Sequence, residues 1–160
     1  MRACHTGGMS TAELRLSYRA DDEWLGQLDA TVTSGAFSGR GSAWFNRQQL
    51  KETFVSALRA FPLSVSDPPM IESGFWSKES PGTLGQCHLR IAVRPYNARG
   101  ALLVRVDLAT ECWTTPDNDQ QQFVTARFLT EYAALDEFAS RLEQVLDGKL
   151  DTAALPGTTR

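Results

Sequence analysis

A chain of 160 residues with 42% hydrophobic and 22% charged side chains has the size and composition of one domain that buries its own core. Its net charge of -3 is too mild for a nucleic-acid-binding surface or an acidic tail. No apolar run approaches the ~18 residues of a membrane helix, so no membrane partner is expected.

Residues 1–11 (MRACHTGGMST) lack the apolar stretch of a secretory signal and are expected to be a disordered leader, with Met9 a better start than Met1. Residues 13–20 alternate, with Leu14, Leu16 and Tyr18 on one face and Arg15, Ser17 and Arg19 on the other, which predicts a half-buried strand. Asp21-Asp22 marks a turn, and a second strand runs from Trp24 to Val32 with Leu28, Ala30 and Val32 inward. A third strand, Phe37 to Phe45, is broken by Gly39 and Gly41, which predicts a bulge or the close approach of another backbone.

Asn46 with Gln49 three residues on can cap a helix over about 47–61, ended by Pro62. Leu50, Phe54, Leu58 and Phe61 would form its buried face. A short strand follows at Ile71–Trp76, then a loop built on Ser80-Pro81-Gly82. Cys87, Leu89, Ile91 and Val93 alternate with His88, Arg90, Ala92 and Arg94, which puts His88 on the solvent side. Asn97–Gly100 turns the chain into Ala101–Glu111, where Leu102, Val104, Val106 and Leu108 face inward. Thr114–Gln122 reads as an exposed loop and Phe123–Thr130 as a strand. A second helix is expected over Tyr132–Leu146, with Leu135, Phe138, Leu142 and Val145 buried and Gly148 at its C-terminal cap. Residues 150–160 read as a frayed, disordered tail.

One pattern thus occurs twice: a strand ending in large apolar residues, then an amphipathic helix whose later anchors are Phe, Leu four on and an apolar residue three further. Strands joined by short turns pair antiparallel. The expected fold is α+β: one two-layer domain over residues 12–149, a mostly antiparallel sheet of about six to seven strands with both helices on one face.

Chemistry-bearing groups are sparse. Cys4, Cys87 and Cys112 have no paired spacing, which excludes a motif-built zinc site and agrees with a reducing, cytoplasmic setting. Gly39-Arg40-Gly41-Ser42 lacks the Lys of a phosphate loop. Asp117-Asn118-Asp119 lacks the Gly and the downstream Glu of a calcium loop. No catalytic residue, metal or cofactor is assigned. The enzyme or small-molecule alternative would need a pocket near His88, Arg90 and Asp107.

The chain carries thirteen Arg against three Lys. Alternation collects Arg15, Arg19, Arg90, Arg94, Arg105 and Arg127 on the sheet face away from the helices. There they either bind an anionic protein patch or pair with acids across the strands. Trp24, Trp44 and Trp76, near strand ends, are expected to close the core. Trp113, beside the 114–122 loop, is the expected exposed anchor. The candidate binding residues are therefore Arg90, Arg94, Arg105, Arg127 and Trp113.

The stretches FSGRGSAWFNRQQLKETFVSALRAFPL, LRIAVRPYNARGALLVRVDL and FVTARFLTEYAALDEFASRLEQVL resemble the WapI-like bacterial immunity proteins or a related small bacterial α+β family. The resemblance covers roughly residues 12–147 and lies in layout and hydrophobic spacing. It implies a non-catalytic domain that binds a partner protein, a toxin domain in that family. It transfers no functional residue. A third class is a structural protein that self-associates into a homo-oligomer through a sheet edge.

Overall fold

Eight strands and two helices account for the fold of this α+β domain, a computed structural model that describes residues 10–113 and 120–159. Residues 1–9 of the expected leader, with Cys4, and residues 114–119 of the polar loop lie outside the described residues, whereas the last two residues of that leader, Ser10 and Thr11, are strand and not disordered. Strand β1 is Ser10–Ala20, β2 Leu25–Ser34 and β3 Phe37–Asn46. Helix α1 spans 47–58; its middle, Leu50–Val55, is π-helical between α-helical Arg47–Gln49 and Ser56–Leu58. Strands β4 (Met70–Trp76), β5 (Leu84–Pro95), β6 (Ala101–Ala109) and β7 (Phe123–Glu131) precede helix α2 (Tyr132–Leu146), and β8 (Ala153–Thr159) follows it.

All strands form one antiparallel sheet in the order β3-β2-β1-β8-β7-β6-β5-β4. Alternation assigns the faces as the sequence predicts. Leu14 and Leu16 of β1, Leu28, Ala30 and Val32 of β2, and Leu102, Val104, Val106 and Leu108 of β6 are all buried. The sheet curls until β3 lies against its far half. A Cβ on Gly39 would stand 2.2 Å from Val124 Cγ1, and one on Gly41 3.1 Å from Leu108 Cβ. The β2–β3 register runs unbroken, so these glycines serve close approach and not a bulge.

Both helices add to the same core through Leu50, Phe54 and Leu58 of α1 and Leu135, Phe138, Leu142 and Val145 of α2. Asn46 Oδ1 accepts the Gln49 N–H at 3.0 Å, which starts α1 as its sequence requires. Gly148, at φ 78°, closes α2 with its N–H on Val145 O.

Four expectations need correction. Helix α1 stops at Leu58, three residues early, and Phe61 is 80% exposed, set edge-on against Tyr132. Leu63 supplies the missing buried contact, its N–H held by the Tyr132 hydroxyl at 3.1 Å. The supposed tail contains β8, an interior strand paired with β1 from Ser10↔Thr159 to Leu16↔Ala153, with Ala153 and Leu155 fully buried. His88 is buried rather than solvent-facing. The cause is a register shift: Ser73 pairs with Leu89 and Gly74 with Cys87, so His88 is an extra residue that turns inward beside Leu89.

Candidate functional site

The free edges of the sheet, β3 and β4, come together at one point, where Ser73 Oγ donates to Trp44 O at 2.7 Å. Beside that bond a groove of about 400 Å³ opens between the two edges and the start of α1. Leu25, Trp44, Met70 and Trp76 line it and stay 45–54% exposed. Strand phase explains why Trp44 projects outward. The inward positions of β3 are Gly39, Gly41 and Ala43, kept small by the opposite strands, and Trp44 falls on the alternate phase. Glu72 is the only ionisable residue in the lining, and its carboxylate accepts from Arg90 Nε at 2.9 Å. The groove therefore presents a nearly uncharged surface of mixed character, its large apolar side chains set among Asn46, Gln49, Thr53 and Ser73.

None of the four tryptophans is a core residue. Trp24 is 58% exposed and Trp113 76%, the latter with its ring 4.5 Å from that of Phe75. Core closure at the sheet margins is thus corrected for Trp24, Trp44 and Trp76, whereas Trp113 stands exposed as expected. The groove was missed in the sequence because nothing local indicates that the ends of β2, β3 and β4 meet.

The arginines lie on the convex face as alternation predicts, but most are engaged. Arg90 pairs with Glu72 at 2.8 Å and approaches Asp107 at 3.6 Å, and Arg105 reaches Asp107 at 3.2 Å. Arg15 pairs with Glu13 at 3.0 Å, and Arg19 donates to Gln27. Among the described residues Arg94 and Arg127 form no side-chain hydrogen bond or ion pair, and they stand on different strands. The face is a set of same-strand and cross-strand pairs more than an open basic patch.

His88, Arg90 and Asp107 do not converge. His88 lies on the buried side, its ring 4.5 Å from Phe75 and its Nε2 on Gln86 Oε1, which also accepts the Cys112 N–H. Arg90 and Asp107 pair on the opposite side. Burial pushes the Cys87 thiol up, against the pull of Arg90, which works against a thiolate nucleophile. Among the described residues no three His, Cys, Asp or Glu side chains stand close enough to share a metal ion. No helix there is long and apolar enough to cross a membrane.

No protein-family model, curated protein or solved structure matches the chain.

Burial holds the His88 pKa below its ordinary value of 6.5, with Glu111 opposing. The folded state then binds this proton more weakly than the unfolded chain does. His88 contributes stability above pH ~6.5 that is lost as pH falls through its folded pKa. Urea melts of the parent should weaken from pH 7.5 to 5 more steeply than those of His88→Gln. Equal slopes would mean that His88 is not desolvated.

Proposed function

We propose that this domain binds another protein and catalyses no reaction, with the groove at the β3–β4 edges as its contact. The observation that carries the reading is the set of four large apolar side chains, Leu25, Trp44, Met70 and Trp76, left half exposed around one groove. A contiguous exposed apolar patch is uncommon on a monomeric surface, and tryptophan is prominent among residues that dominate binding energy. The layout resemblance to WapI-like immunity proteins supports a toxin domain as the partner. Since neighbouring side chains engage most of the convex arginines, those side chains are secondary candidates: Arg94 and Arg127 before Arg90 and Arg105.

The test is capture from the native cell with the parent chain and with Trp44→Ala/Trp76→Ala. The double variant should keep its melting temperature, because both rings are half exposed, and weaken a specific partner by roughly tenfold or more, the scale of one or two hot-spot residues. A partner retained at full affinity moves the interface elsewhere. For the immunity reading, a toxin encoded beside this chain should arrest growth when expressed alone and be neutralised by co-expression with the parent. The unpaired outer edges of β3 and β4 favour one second reading, self-association through a sheet edge. Light scattering that shows a stable oligomer weakened by the same two substitutions would favour it.

A further inference from the structure

The order β3-β2-β1-β8-β7-β6-β5-β4 contains a relation that no single strand shows. Residues 10–76 form a three-strand meander, a helix and a closing strand; residues 84–159 repeat that order. The closing strand of each half pairs with the first strand of the other: β4 with β5, and β8 with β1. Substituting each element by its counterpart turns β3-β2-β1-β8 into β7-β6-β5-β4.

The registers carry the relation down to residues. The pair Leu25↔Asn46 ends one meander and Ala101↔Glu131 the other, and Asn46 and Glu131 are both extended caps of the helix that follows. With Leu25 set on Ala101, Leu28, Ala30 and Val32 fall on Val104, Val106 and Leu108, and all six are buried. Leu14 and Leu16 fall on Leu89 and Ile91. In the closing strands Ile71 faces Ile91 as Ala153 faces Leu16, and Gly74 faces Cys87 as Gly157 faces Ala12.

In the helices Leu50, Phe54 and Leu58 correspond to Leu135, Phe138 and Leu142. The first set carries one extra residue between Leu50 and Phe54, inside the π-helical turn Leu50–Val55, whose wider i→i+5 repeat absorbs one insertion. The same two elements meet in each half, though through different bonds: β7 and β8 share the pair Leu129↔Thr158, with Thr130 Oγ1 donating to Pro156 O, whereas at β3 and β4 the closing strand donates, Ser73 Oγ to Trp44 O.

We infer that the chain is two copies of one βββαβ unit, and that the surface each copy presents is built to receive the closing strand of a second copy. The β4–β5 turn at 77–83 then has its counterpart where β8 meets β1, at the antiparallel pair Ser10↔Thr159. The order of the two units in the chain is therefore interchangeable.

The experiment keeps every residue. A circular permutant opens the chain between Ser80 and Pro81 and joins Arg160 to Met1. A second permutant, with the same joint, opens the β5–β6 turn between Arg99 and Gly100, which divides a unit. In a third arm a protease site at Ser80–Pro81 is cut in the folded parent. The first permutant should be a folded monomer melting within about 4 °C of the parent, the scale of ~1 kcal/mol in a domain of this size. The second should melt at least about 10 °C lower. The cleaved halves should co-elute one to one and reassociate after dilution from urea. Equal tolerance of both openings, loss of folding in the first, or halves that separate after cleavage would each overturn the inference.

Discussion

Replacing Phe54 or Phe138 by Ala should each cost roughly 3–5 kcal/mol in urea melts, a large share of a typical domain's 5–15 kcal/mol. Both rings are about 1% exposed and rank among the largest fully buried side chains, one from each helix. They pack in the same cluster as Phe128 on the sheet, so neither site can refill its void by a surface shift. A loss below about 1 kcal/mol at both positions would mean that the helical faces are not the anchors of the fold. The double variant should cost less than the sum if the two voids merge, a coupling that appears only between sites sharing neighbours.

Those anchors were legible because period and burial agree: i, i+3 and i+4 spacing in the helices, strict alternation in β1, β2 and β6. The misses have particular causes. In β8 the sequence AALPGTT carries Pro156 and Gly157, both signals against an interior strand. Pro156 is tolerated because β7 and β8 share only one ladder pair, at Thr158, so its missing N–H leaves no gap in that ladder. Its carbonyl still takes the Thr130 hydroxyl at 2.9 Å. His88 was misread because one residue of register shift in β4–β5 inverts the phase, and a strand's alternation read alone does not show which residue its neighbour will leave unpaired.

The candidate site was less legible than the fold for a related reason. Leu25, Trp44, Met70 and Trp76 come from three strands, and only the curling of the sheet brings them around one groove. Four tryptophans near strand ends were visible in the sequence; which side they would face depended on how the edges met. The arginines show the opposite case. Their common face was readable from alternation, and Arg15 and Arg105 take acids two residues away on their own strands, yet the pairing of Arg90 depends on cross-strand register, which places it opposite both Glu72 and Asp107.

That register gives the second large effect, at Gly74. A Cβ built there would lie 2.0 Å from Gln86 O and 2.9 Å from His88 N, both main-chain atoms that cannot rotate away. Gly74→Ala must therefore part β4 from β5 at the bulge, at a cost of ~1–3 kcal/mol or more. The damage should be local in kind. The Phe75 ring beside this position meets His88 edge-on and Trp113 at a tilt, so tryptophan fluorescence should change and the amides of β4 should exchange faster while those of β1 and β2 stay protected. Gly82→Ala provides the contrast. Its φ of 82° strains any side chain, but nothing lies within 4 Å, so only the backbone cost of roughly 1–2 kcal/mol applies, without the fluorescence change. If Gly74→Ala melts with the parent and leaves β4 protected, β4 does not approach β5 this closely, and the bulge that turns His88 inward would have to be abandoned with it.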